Sequence, residues 1–338
     1  MKRDFSYRLG AFFIFFCHSL LTAAVQDAIT LEVGVRTQVF HDAMQEKILI
    51  TEVFYPAEDG VNGEKTTINI FDRLREARDA PILQTKKKYP LIVVSHGQKG
   101  DRFSLTWLNH VLAGYGYIVA SIDHFGSTWA TNNPEAAIKR WTRTQDVSTL
   151  ITSMLKDPVF GPHIDENKIG MIGYSLGSLT GLWLAGGVAT QYQKPDLMKK
   201  NTIELEEGLT EEMIRHLDLG EAKKSHADPR IKAFVLLSPV YGSSFDRTGL
   251  YAIKVPILMI AGENDKLAPV SDNALLFQQW IPASSLKILG KNSGHGIFLS
   301  SEDGGVSIED RIELNKTIVK EILKFFDQTL QDQSLISH

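Results

Sequence analysis

The chain has 338 residues, 43% of them hydrophobic and 22% charged, with a formal net charge of −4. That is ordinary globular composition, with length enough for one large domain or two small ones. The slight acidity, and the lack of any Lys- and Arg-dense stretch with spaced aromatics, argue against a nucleic-acid partner.

The first residues differ from the rest. Lys2, Arg3 and Arg8 precede an apolar run over residues 9–21, and Thr22, Ala23 and Ala24 follow as small residues. This order predicts a secretory signal peptide over residues 1–24 and a mature chain, 25–338, with no stable membrane span. A retained anchor is the alternative, although the run is short for a span of roughly 20 residues. The single cysteine, Cys17, lies inside the run behind Phe15 and Phe16, where a lipid-attachment signal would want small residues. Cleavage would leave no thiol for a disulfide, a nucleophile or a metal ligand.

Residues 29–56 hold β-type runs, including 48–55, that predict an antiparallel edge of a sheet. From there short apolar runs alternate with longer amphipathic ones. Strands are expected at 89–95 (YPLIVVS), 117–123, 168–174, 231–237, 255–261 and 286–289. Helices are expected at 101–114, 134–156 (with Pro134 in its first turn), 176–185, 273–280 and 308–329. The alternation predicts an α/β fold with a mostly parallel sheet covered on both faces. Residues 192–230 break the rhythm. They are rich in charge, and Met213, Ile214 and Leu217 supply a helical face. This excursion reads either as a helical cap insert or as a solvated surface segment.

Gly173-Tyr174-Ser175-Leu176-Gly177 matches G-x-S-x-G between an expected strand and an expected helix. A nucleophile on such a turn needs a strained backbone that lifts its hydroxyl clear of the sheet. The flanking glycines let neighbouring segments approach, and the N-terminus of the helix favours a developing oxyanion. Serine needs a base, and in this architecture the chain order is serine, acid, histidine. His295, in Ser293-Gly294-His295-Gly296, stands between the last strand and the closing helix. His216 and His226 lie in the charged excursion and His338 at the terminus, so all three fit worse. Asp265 follows the strand at 255–261 and could orient the imidazole, with Glu263 and Asp246 as rivals. Val94-Ser95-His96-Gly97-Gln98 follows the strand at 89–95, which assigns the backbone N–H groups of Gln98 and Leu176 to an oxyanion hole. His96 is expected to buttress that loop. Arg143 and Asp146 look like a surface or packing pair. Trp107, Trp129 and Tyr241 are candidate pocket aromatics, though such residues more often belong to a core.

With these residues in place, the chain resembles the α/β-hydrolase branch of platelet-activating-factor acetylhydrolases and dienelactone-hydrolase-like proteins. The likeness covers about residues 48–326. It rests on Val53-Phe54-Tyr55-Pro56, Val94-Ser95-His96-Gly97, Ile122-Asp123-His124-Phe125-Gly126-Ser127, the elbow pentapeptide, Gly262 to Asp265 and Gly294-His295-Gly296. Two departures stand out. Dienelactone hydrolases proper use a cysteine where this chain has Ser175. Secreted animal acetylhydrolases carry their acid after the preceding strand, where this chain reads Leu237-Ser238-Pro239-Val240. The expected chemistry is acyl transfer to water on a small ester or lipid-like substrate, with short or modified acyl chains, without metal or cofactor. An amidase or peptidase on the same fold, and a non-catalytic binding protein, are the rival readings.

Overall fold

The computed structural model describes residues 31–42, 47–59, 76–85, 87–131, 133–194, 208–300 and 305–330. The expected signal peptide and residues 195–207 of the charged excursion lie outside them.

The first strands, β1 (Glu32–Asp42) and β2 (Lys47–Ala57), form the antiparallel edge that the β-type runs suggest. A short strand, β3 (Glu76–Arg78), flanks β1 in parallel. Six parallel strands follow: β4 (Tyr89–Ser95), β5 (Ile118–Ile122), β6 (Ile164–Tyr174), β7 (Ile231–Leu237), β8 (Ile257–Gly262) and β9 (Ser284–Leu289). The order is β3-β1-β2-β5-β4-β6-β7-β8-β9, and β2 meets β5 antiparallel. Pro90 has no N–H for the ladder, and the β4–β6 register shifts between Tyr89 and Leu91.

Both faces of β4, β5, β7 and β8 are almost wholly buried, which is why these strands read as continuous apolar runs. Leu91 and Val93 pack on one side with α3 (Thr142–Lys156) and α4 (Leu176–Leu184). Ile92 and Val94 pack on the other with α1 (Thr106–Gly114) and the closing helix α8 (Ile308–Leu330). The chain leaves β4 for β5 on one side and returns to β6 on the other. The carboxyl ends of β4 and β6 therefore flank a topological switch point, where crevices open in sheets of this kind.

Two expected helices are corrected. The helix at 101–114 starts only at Thr106, because Asp101 Oδ1 accepts the Phe103 N–H and its carbonyl accepts the Ser104 N–H, making a turn. The single helix at 134–156 is two: α2 (Pro134–Ile138), capped by Asn133, and α3. Lys139 leaves the helical region at ψ 55°, and the break turns the Arg140 guanidinium onto the Tyr241 ring, 4.9 Å from its centroid.

In the excursion, α5 (Glu211–His216) is capped by Thr210 and buries Ile214. Trp183 of α4 donates to the Ala222 carbonyl (3.0 Å). The connections after β7 and β8 carry α6 (Arg247–Leu250) and α7 (Ala274–Trp280).

Candidate active site

Ser175 stands between β6 and α4 with φ 50° and ψ −114°, outside the common regions for a side chain larger than glycine. Glycine is required on both sides of it. A Cβ on Gly173 would lie 2.2 Å from the Gly177 carbonyl oxygen, and one on Gly177 would lie 2.0 Å from the Ser95 carbonyl oxygen. The Ser175 N–H donates to the Leu237 carbonyl (2.9 Å), while the Ser178 hydroxyl donates towards the carbonyls of Gly173 and Leu237 (2.8 and 3.0 Å). These bonds hold the turn against β7.

His295 lies on a short 3₁₀ turn, His295–Phe298. Its Nε2 is 2.9 Å from Ser175 Oγ and its Nδ1 is 2.7 Å from Asp265 Oδ2. A carboxylate can only accept, so Nδ1 carries the proton and Nε2 is left to accept from the serine hydroxyl. Tyr174 supports the ring: its hydroxyl donates to the His295 carbonyl (3.2 Å), with ring centroids 5.3 Å apart. Asp265 divides its oxygens. Oδ2 takes the imidazole, and Oδ1 accepts the N–H groups of Leu267 and Ala268 (3.1 and 2.7 Å). Burial pushes the Asp265 carboxyl upward, but the His295 bond and charge and the Ala268 N–H outweigh it and hold it below the ordinary value.

The rival acids are occupied elsewhere. Glu263 accepts the Asn292 N–H (2.6 Å), tying the acid loop to the histidine loop. Asp246 caps α6 through the Gly249 N–H and also takes Thr248 and Gln191. His226 is half-buried and bonded to the Glu221 carbonyl.

The loop after β4 closes the other side. A Cβ on Gly97 would lie 3.0 Å from the Tyr174 ring and 3.4 Å from Ser175 Cβ, so this loop packs directly on the elbow. Gln98 comes next, and Leu176 opens α4.

Behind the loop lies a polar network that sequence reasoning largely missed. Arg143 and Asp146 are buried, which corrects their reading as a surface pair; a packing role fits. Arg143 reaches the carbonyls of His96 and Gly97 and the Ser127 hydroxyl. His124 Nε2 is 2.8 Å from Ser95 Oγ and its Nδ1 is 3.0 Å from Asp146 Oδ2, while Lys47 Nζ lies 3.1 Å from Asp146 Oδ1. Burial, then the Arg143 charge, pushes His96 and His124 well below the ordinary histidine value, so both rings are neutral at pH 7. Burial also raises the Asp146 carboxyl, against the pull of Lys47 and Arg143. Among the aromatics, Trp107 is core and donates to the Phe298 carbonyl (2.8 Å). Trp129 is 72% exposed, with Lys99 Nζ 5.7 Å from its ring centroid. Tyr241 packs on Arg140.

Residues 67–140 match the family model for platelet-activating factor acetylhydrolase, isoform II, a stretch that includes the His96–Gln98 loop but not Ser175. Cutinase est1 of Thermobifida alba is 25% identical over 201 residues, covering 59% of this chain and 50% of that protein. Dipeptidyl-peptidase 5 of Porphyromonas gingivalis is 29% identical over 115 residues, covering 31% of this chain and 16% of that one. The chain thus spans about half the length of the cutinase and far less of the peptidase. A ferulic acid esterase structure from Streptomyces cinnamoneus aligns over 91% of this chain and 93% of its own, at 16% identity and TM-score 0.59. Sheet order, helical layers and the structural likeness show an α/β-hydrolase fold, and over residues 67–140 the chain is similar to the platelet-activating-factor acetylhydrolase family.

Proposed function

We propose that the protein is an exported serine hydrolase that cleaves carboxylic esters through an acyl-enzyme. The observation that carries this reading is the hydrogen-bonded series Ser175–His295–Asp265, with the serine on a strained turn at a helix N-terminus. His295 Nε2 takes the hydroxyl proton as Ser175 Oγ attacks the ester carbonyl. Asp265 holds the tautomer and stabilises the imidazolium. The N–H groups of Gln98 and Leu176 receive the charge developing on the carbonyl oxygen. His295 then protonates the leaving alcohol and activates water for deacylation.

Ester substrates are favoured because the cutinase and the ferulic acid esterase are named for esters. Short or modified acyl chains, phospholipid-derived ones included, follow from the acetylhydrolase likeness. The likeness to dipeptidyl-peptidase 5 favours amide or peptide cleavage as the second reading. Export rests on the basic, apolar and small-residue order of residues 1–24. A series of p-nitrophenyl esters from acetate to long chains, run beside a p-nitroanilide, a lysophospholipid and an oxidised phospholipid, tests the substrate class. Fastest turnover is expected on the short esters or the oxidised phospholipid. An anilide cleaved faster than every ester would overturn the ester assignment.

A further inference from the structure

The Gly97 carbonyl is held by three donors. His96 Nδ1 lies 2.7 Å from it, the Gly100 N–H 3.3 Å and Arg143 Nη2 3.4 Å. The same guanidinium donates from Nη1 to the His96 carbonyl (2.8 Å) and from Nη2 to the Ser127 hydroxyl (2.5 Å). The His96 tautomer is fixed as well: its Nε2 accepts the His124 N–H (3.2 Å), which leaves Nδ1 as the protonated donor.

That carbonyl and the Gln98 N–H belong to one peptide unit. A trans peptide is planar, and its N–H points opposite to its C=O. Whatever fixes the carbonyl therefore fixes the direction of the N–H. The direction matters here because the loop packs against Ser175, with 3.4 Å from a Gly97 Cβ position to Ser175 Cβ. A donor misdirected by a few tens of degrees loses most of its bond.

We propose that Arg143 and His96 are positioning residues, which clamp the Gly97 carbonyl and thereby aim the Gln98 N–H at the oxyanion formed on Ser175. The proposal rests on the serine-hydrolase reading above. Neither side chain touches substrate. Arginine suits the task because its planar fork spans two carbonyls and a hydroxyl at once, which a lysine ammonium cannot do.

The test compares p-nitrophenyl acetate with its thionoester in Arg143→Met, Arg143→Lys, His96→Leu and His96→Asn. An oxyanion hole built for oxygen disfavours the larger, weakly accepting sulfur. Losing one donor typically costs about 10²- to 10³-fold in kcat. In Arg143→Met and His96→Leu, kcat on the oxygen ester should fall by that order with little change in KM, and the preference for oxygen over sulfur should shrink in step. The Asn Nδ2 stands where His96 Nδ1 does, so His96→Asn should recover most of what His96→Leu loses. Arg143→Lys should resemble Arg143→Met. A crystal structure of Arg143→Met should find the Gly97–Gln98 peptide turned. Equal loss on both substrates, or a peptide still in its native orientation, would overturn the clamp. Ser175→Ala run in parallel separates the two claims. If it keeps wild-type turnover the serine reading fails, and the clamp is then judged by the peptide orientation alone.

Discussion

Among the described residues, two serine–histidine–aspartate series stand near the carboxyl ends of the adjacent strands β4 and β6. Their inner geometry is nearly the same. Ser175–His295–Asp265 spans 2.9 and 2.7 Å, and Ser95–His124–Asp146 spans 2.8 and 3.0 Å. Their surroundings differ in backbone strain, in access to the serine and in what the aspartate faces. Ser175 stands on a strained turn and keeps 8% of its surface, whereas Ser95 ends a regular strand and keeps none. Both carboxylates are buried, but Asp265 faces backbone N–H groups whereas Asp146 faces the Lys47 ammonium. A glycine-bearing loop packs against the first serine, whereas the second is sealed from solvent. Three residue types in hydrogen-bonding reach do not make an active site; backbone strain, access and a ring of preorganised donors do.

Exchanging the two serines for alanine should break the pair apart most sharply. Ser175→Ala is expected to lower ester kcat by ~10⁴- to 10⁶-fold with little change in stability. Ser95→Ala should instead lower the urea midpoint, by an amount equivalent to ~1–3 kcal/mol, because His124 loses a buried partner. Equal kinetic losses in the two variants would abolish the distinction.

Strain sharpens the contrast further. At most positions glycine is less stable than alanine, but a residue held at φ 50° stores ~1–3 kcal/mol of strain that glycine does not feel. Ser175→Gly should therefore be more stable than Ser175→Ala by about that amount in denaturant titration, and the reverse order would deny the strained elbow.

A smaller effect is expected from pH. Asp265 is held below the ordinary carboxylate value of 3.8, so its contribution to stability is present above that value and fades as pH falls through its lowered pKa. Asp146 is raised above 3.8, so its contribution is full below that value and fades as pH rises through the raised pKa. The wild-type advantage over Asp265→Asn should shrink in acid, and the advantage over Asp146→Asn should grow. Parallel trends for the two variants would contradict the assigned environments.

Much of the frame was legible in the sequence. The β-branched run of β4 marks a doubly buried strand, β7 falls on its expected bounds, and the elbow glycines announce a turn that admits no Cβ. Asp265 and His295 followed from their places after strands. Periodicity could not locate the break at Lys139, because what accompanies it, Arg140 on the Tyr241 ring, is a long-range contact. It also misplaced the start of α1, where the Asp101 side chain competes for the first turn. The network behind the oxyanion loop was harder still. Polar residues on a helix read as a solvent face, so nothing local marks Arg143 and Asp146 as buried. His124, in the Ile122 to Ser127 motif that carries part of the family likeness, is the nearest signal.

The central claim is that Ser175 is made nucleophilic by its place, as no other serine among the described residues is. Labelling the intact protein with a fluorophosphonate, then locating the adduct by peptide mass spectrometry, tests this most directly. One adduct, on the peptide carrying Ser175 and appearing in step with loss of esterase activity, is the predicted result. An adduct on any other residue, or unlabelled protein that still hydrolyses esters, would contradict it.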